Sequence, residues 1–424
     1  MQAFTAKLAL LFTDTALRNR MLFIVGALFV FRILAAIPVP GVNAAQLSSF
    51  FASSQFLGLL NLFSGGGLSN LSIVLLGVGP YITSSIIMQL LTLLIPRLKE
   101  LYQEEGEAGR QKFSQYSRIL TLPIALLQGV GFLILLEREG ILPSITAFQF
   151  GVSALVVTAG SILLMWIGEL ISEFGLGNGV SIIIFAGIVA RIPQALSQTI
   201  FSFDASQIPS YIGFAIAALA IIAAVVYVTE AERPVPVTYA KRVRGLKVYG
   251  GTSTYLPLRL NQAGVIPIIF ALSLLLLPQM AASFFATSTA HPLLAHIAQG
   301  VLSFLQNLTW YGILYFIFVF LFTYFYTAVT FDPNMIAEQL QRGGAFIPGV
   351  RPGRSTTEYL AQVITRITFV GALFLGIIAV LPIITQGLTG IQSLTIGGTA
   401  LLIVVSVVLD LARRVDAQLS IREY

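Results

Sequence analysis

Ionisable and nucleophilic side chains are scarce in this chain, and where they fall limits the chemistry open to it. Five charged residues lie within or at the edges of long apolar runs: Arg32, Glu169, Arg191, Arg366 and Asp410. All but Arg32 sit near the ends of those runs, where a long side chain can reach the membrane surface and stay solvated. No carboxylate falls near the middle of a run, which is where ion-coupled carriers concentrate charge. The two histidines, His291 and His296, have a spacing that suits no helical metal pair and read as surface residues. There is no His-Glu-x-x-His sequence and no glycine-rich phosphate loop. No histidine lies in an apolar run to serve a Ser–His dyad. With no cysteine, disulfides and thiolate chemistry are excluded as well. Glu104, Glu105 and Glu107 sit among Lys and Arg in a polar segment and read as a solvated face. The chain is not expected to be an enzyme, and it calls for no cofactor or metal.

What must position these residues is a membrane fold. Of 424 residues, 56% are apolar and only 10% charged, against about 25% charged in a soluble domain. The apolar residues come in runs of bilayer-crossing length. Ten spans are expected, near 21–38, 71–95, 119–136, 152–172, 180–200, 211–229, 263–283, 309–329, 367–385 and 394–411. Lys and Arg alternate between the loops: three in 1–20, five in 96–118, six in 230–262, three in 331–359 and three in 412–424. Segments 39–70, 286–308 and 386–393 have none. The positive-inside rule then places both termini and the basic loops in the cytoplasm. The first run is too long for a removable signal peptide, and it contains Arg32. Before it, Phe4, Leu8, Leu11 and Phe12 oppose Lys7, Asp14 and Arg18, the pattern of a short helix on the inner membrane surface.

Ten spans divide five and five, into 1–200 and 201–424, and an odd number per half inverts one half relative to the other. One external segment fits no simple loop: Phe56 to Phe63 is apolar but far too short to span, and Ser64-Gly65-Gly66-Gly67 follows it. Two readings stay open from the residues alone, a re-entrant helix filling a cavity or an interfacial helix on the outer leaflet. Residues 230–262 alternate polar with β-branched or aromatic residues around Gly245 and Gly250-Gly251, which predicts a projecting β-ribbon. Residues 331–359 carry a helical stretch, Pro333 to Arg342, and then a Gly/Pro-rich turn region. Both loops look like docking surfaces, though a plain positive-inside loop would account for their charge.

Five stretches together resemble the bacterial SecY family of protein-translocation channel subunits. They are FSGGGLSNLSIVLLGVGPYIT (63–83), GLGNGVSIIIFAGIVARIP (175–193), YAKRVRGLKVYGGTSTYLPLRLNQAGVIPIIFA (239–271), FDPNMIAEQLQRGGAFIPGVRPG (331–353) and GTALLIVVSVVLD (398–410). They run through the chain in the family's order.

The resemblance implies an all-α polytopic membrane protein, a clamshell of two inverted five-helix halves around an hourglass channel. Unfolded preprotein would cross through the centre, and hydrophobic segments would leave sideways between spans 2 and 7. The waist would be an aliphatic ring of Val78, Ile82, Val180, Ile184, Ile269 and Ile403. Val78 and Val180 stand where isoleucine is common in the family. A short re-entrant plug, about 57–67, would close the outer funnel with Leu60, Asn61, Leu62, Phe63, Ser64, Gly65, Gly66 and Gly67. Branched apolar side chains cannot hold water or ions, so a narrow ring of them can gate by dewetting. Aliphatic residues in a span more often pack on other helices or on lipid, so the ring rests on the resemblance.

The implied partners are the small membrane subunits SecE and SecG, the SecA motor ATPase, the ribosome, preproteins with their signal peptides, and the lipid bilayer. Motor or ribosome would dock on Lys241, Arg242, Arg244, Lys247 and Arg351, whose charge suits RNA phosphates and acidic surfaces. The four residues at the 241–247 tip could equally be determinants of topology. The implied location is the bacterial cytoplasmic membrane. A small-solute permease of similar inverted build is the alternative, but it would need polar groups at the midplane. An insertase would need neither plug nor motor-docking loops.

Overall fold

The computed structural model describes residues 14–39, 67–68, 71–103, 105–138, 146–190, 192–193, 197, 208–240, 242–244, 247–249, 253–286, 292–389 and 397–422. The amphipathic N-terminal segment, nearly all of the expected plug and Lys241 lie outside these residues.

The fold is mostly helical. In chain order the N-terminal part holds α1 (Thr15–Ala36), α2 (Gly79–Leu94), α3 (Pro96–Gln103), α4 (Gly106–Arg138), α5 (Ala147–Phe174) and α6 (Gly179–Val189). Next come α7 (Ile208–Glu230), β1 (Glu232–Tyr239), β2 (Arg242–Arg244), β3 (Lys247–Tyr249), β4 (Ser253–Arg259), α8 (Ile266–Phe285) and α9 (Pro292–Gln306). The chain continues through α10 (Leu308–Thr330), α11 (Pro333–Arg342), β5 (Ala345–Phe346), α12 (Arg354–Thr389) and α13 (Gly397–Arg422). Among the described residues, α1, α4, α5, α10 and α12 are each long and apolar enough to cross a bilayer. A sixth crossing arises if α2 and α3, bent by 116° where they meet, are one broken span. Helices α6, α7, α8 and α13 fall where the remaining four spans are expected; most of 191–200, at the far end of the fifth, lies outside the described residues.

Local sequence sets the helix starts. Asp14 caps α1 by accepting from the amides of Ala16 and Leu17. Thr146 and Gln149 open α5 with a reciprocal capping box. Asn178 caps α6 through the Ser181 amide, and the Gly179 amide donates to Ser172 Oγ on α5 at 2.8 Å.

The second expected span is not one helix. Residues 71–78 form consecutive turns, and the helix begins only at Gly79. Gly77 has φ +60, a conformation that glycine adopts without strain and that ends any α-helical ladder there. Pro80 then starts α2 at a position that needs no amide donor. Non-helical backbone at membrane depth must find hydrogen bonds in neighbouring protein. Here the Val39 amide donates to Leu71 O at 2.8 Å, the Ile73 amide to Ile37 O at 2.9 Å, and Ser161 Oγ on α5 to Gly77 O at 2.9 Å. Gly160 lies against Ile73 so closely that a Cβ there would stand 2.0 Å from the Ile73 carbonyl oxygen. A second core cluster, with Leu68, Leu71, Leu75, Leu76, Phe132 and Val157, packs around this stretch.

Outside the helices, β1 pairs antiparallel with β4 over seven residue pairs, Glu232↔Arg259 through Thr238↔Ser253. The other edge of β1 pairs with β5, Thr238↔Phe346 and Tyr239↔Ala345, giving the order β4-β1-β5. The short hairpin β2–β3 sits beyond it. Val235, Val237, Leu258, Ala345 and Ile347 pack with Leu360, Val363, Ile364 and Ile367 of α12, so the sheet rests on the start of that helix.

Candidate functional site

The six aliphatic residues of the expected ring come from four separate parts of the chain. Val78 is the residue just before α2, and the Ile82 amide reaches its carbonyl at 3.1 Å, which places the two one turn apart. Val180 and Ile184 lie in the first two turns of α6, Ile269 in the first turn of α8, and Ile403 in the second turn of α13. Val78, Ile82, Ile184, Ile269 and Ile403 all belong to the largest apolar cluster, and Val180 packs against it. All but Val180 are at most 8% exposed. Residues hundreds of positions apart in sequence are thus gathered into one apolar cluster by helices from both parts of the chain.

The parts meet along a seam. Helix α8 packs against both α2 and α4, and α6 packs against α13. Near the α2–α4 face, polar groups are satisfied locally: Ser84 Oγ donates to Ser117 O, and Gln128 Nε2 reaches Thr83 Oγ1 at 3.5 Å. On the other side of the seam, the Phe270 ring of α8 meets Phe322 and Tyr326 of α10 edge-on, at 5.9 and 6.0 Å.

The charged residues in the apolar runs behave differently from one another. Glu169 pairs with Arg118 of α4. Those residues lie fifty-one positions apart, and the pair joins α4 to α5 while both side chains stay partly exposed. Asp410 pairs with Arg414 one turn on, at 2.9 Å. Arg366 is exposed, and Arg191 lies outside the described residues. Arg413 of α13 binds Glu230 at 2.7 Å and the Thr229 carbonyl at 3.0 Å, fastening α13 to the end of α7. Neither interhelical pair is visible as a local pattern in the sequence.

For the docking residues, Arg351 is exposed, and its carbonyl accepts from Thr356 Oγ1 at 3.0 Å. Arg242 and Arg244 are in β2 and Lys247 in β3, two strands that form the hairpin beyond the sheet. His296 is exposed on α9, and His291 lies outside the described residues. Of the expected plug, only Gly67 is described, and its carbonyl accepts from the Ser72 amide at 2.8 Å. What sequence reasoning missed is the seat of residues 71–78. Its one signal was the run of small residues Thr158-Ala159-Gly160-Ser161, the composition that lets backbones approach closely in a membrane.

Comparison with known proteins agrees across sequence and fold. A family model described as SecY matches residues 72–412. The chain is 43% identical over 428 residues to Protein translocase subunit SecY of Mycobacterium tuberculosis, with 96% of each chain covered. It is 41% identical over 436 residues to the subunit of the same name from Streptomyces coelicolor, with 97% of each covered. Among solved structures, "The structure of a protein conducting channel" superposes with a TM-score of 0.63 at 18% identity, over 94% of this chain and 91% of the other. Sec61 in the canine ribosome–channel complex from the endoplasmic reticulum gives a TM-score of 0.60 at 17% identity, over 94% and 91%.

Proposed function

The chain belongs to the SecY family of protein translocase subunits, and from that premise we propose that it is the protein-conducting pore of a bacterial translocase. Preproteins cross unfolded through its centre, and hydrophobic segments leave sideways into lipid between α2 and α8. The ten spans lie in two inverted halves, 1–200 and 201–424, with both termini and the β-sheet in the cytoplasm.

The observation that carries this reading is the convergence of Val78, Ile82, Val180, Ile184, Ile269 and Ile403 on one buried apolar cluster. A permease would need polar groups in place of such side chains. An aliphatic constriction has nothing to bind a solute or hold water, yet it can yield around side chains of any size. Helix α8 lies against α2 and α4, which supports a sideways exit that opens by parting this contact. The plug, centred on residues 60–67, would add a second seal on the outer side.

The basic hairpin and Arg351 are the docking points for a motor ATPase or a ribosome. Sec61 and the yeast Ssh1 complex are structural neighbours solved with ribosomes, which supports a ribosome as one partner. SecA is the expected motor, and SecE and SecG are the expected small subunits.

The test exploits a chain without cysteines. Single cysteines at Ile82, Ile184 and Ile403, with a lipid-facing control at Leu155, are combined with a stalled precursor that carries one cysteine. Disulfides to all three ring positions and not to Leu155 are expected. Successful translocation with no ring crosslinks would misplace the waist. No translocation with the partner subunits and ATP supplied would return the permease reading.

A further inference from the structure

Helix α9 carries no Lys, Arg, Asp or Glu, and its apolar residues form two strips. Ala298 and Leu305 are buried and Val301 packs on the main core, so one strip docks the helix onto α8 and α10. The other strip is bare. Leu293, Ile297 and Phe304, spaced to line up along one side of a helix, are 72%, 55% and 43% exposed.

Two features of the structure point to what covers it. Phe304 stacks on Trp310 of α10, their centroids 5.6 Å apart. Below Trp310, the exposed residues Ile313, Ile317 and Leu321 continue down one face of α10, a helix that is long and apolar enough to span. The bare strip is therefore continuous with a lipid-facing surface, and an aromatic pair joins the two, of the kind that favours the membrane boundary. The connection is also short. Asn307 alone separates α9 from α10, and its side chain caps α10 by accepting from the Thr309 and Trp310 amides. So α9 ends where α10 enters the bilayer, at the end of α8 and α10 away from the sheet. There it is tied to the last turn of α8, because Gln299 Nε2 donates to the Ala286 carbonyl at 3.3 Å.

The geometry points to a lipid surface as the partner of this strip. Helix α9 lies in the headgroup layer on the membrane face away from the sheet, with Leu293, Ile297 and Phe304 inserted among acyl chains, and it holds the end of α8 at a fixed depth. Without charge on the helix, the contact depends on apolar insertion and not on anionic headgroups. The inference needs only that α8 and α10 are membrane helices, so it stands apart from the pore assignment.

Single cysteines at Ile297 and at Gln306, on the opposite side of α9, are labelled with an environment-sensitive fluorophore in the full chain. The protein is reconstituted in phosphatidylcholine vesicles containing nitroxide-labelled acyl chains. The expected result is at least about twofold stronger quenching by the nitroxide lipid at Ile297 than at Gln306, with iodide showing the reverse order. Adding anionic lipid should leave the ratio unchanged. A label at Leu293 repeats the reading should the Ile297 variant fold poorly. Equal iodide access at both positions without lipid quenching would overturn the proposal. So would shielding of Ile297 from both quenchers that is lost on diluting the protein in the membrane, because a second copy would then cover the strip.

Discussion

The hydroxyl of Ser161, on α5, donates to the carbonyl of Gly77 across 2.9 Å, in the turns that precede α2. Gly160 beside it has Ile73 O where any side chain would begin. These neighbours make a seat for backbone that has no helical ladder of its own. Gly160→Leu should prevent accumulation of folded protein, and Gly160→Ala should destabilise it by about 2 kcal/mol, the cost of overpacking a tight contact. Ser161→Ala should cost about 1–2 kcal/mol for the lost donor. Unfolding of detergent-solubilised protein, followed by size-exclusion profile against temperature, reads all three. A Gly160→Ala protein as stable as the parent would show that residues 71–78 do not lie against α5.

Substituting asparagine for Ile184 or Ile403 should give the closed protein a steady ion conductance in planar bilayers. A polar side chain in an aliphatic constriction holds water that the native ring expels. Leu155→Asn, on an exposed face of α5, should leave conductance unchanged. Equal leak from all three variants would mean general damage and not a gate.

Arg351→Glu should leave membrane insertion and thermal stability as they are. The side chain is exposed, and the interaction that holds the turn uses the Arg351 carbonyl. Motor-driven translocation of a precursor should be lost. A variant that translocates normally would remove Arg351 from the docking surface.

Thr238 and Phe346 are paired across β1 and β5, and the Ala240 amide donates to Gly344 O at 2.8 Å at the same edge. Cysteines at both positions should form a disulfide on mild oxidation, and the oxidised protein should still translocate. Arrest by the crosslink, relieved by reductant, would show that the two loops separate during the cycle.

Sequence and structure agree best where the physics is local. The helix Pro333–Arg342 and the ribbon in 230–262 follow from a proline start, a glycine stop and alternating side chains, and both are present. Residues 71–78 were not legible, because an apolar run reads the same whether its amides bond along the chain or across it. Gly77, Gly79 and Pro80 were the breaks, and glycine and proline inside an apolar span are ordinary in membrane helices. Nor could spacing reveal that Glu169 meets Arg118 or that β5, two residues long, completes a sheet begun a hundred positions earlier. For the ring residues, the pattern four apart in α6 was visible, but nothing local distinguishes a waist from a lipid-facing or packed side chain. What the structure adds is that the four parts of the chain bring these residues to one apolar cluster.

Because α2 starts at Gly79, it is a rod of 16 residues, about 24 Å long, with a turn-built pivot at one end. A swing of about 10° would carry its far end by about 4 Å, while Ile82, one turn from the pivot, would shift by only about 1 Å. The seam against α8 can therefore part widely at one end while Ile82 stays close to the cluster it packs in. In the proposed channel, a side exit and a tight axial seal would then be separate degrees of freedom of a single short helix.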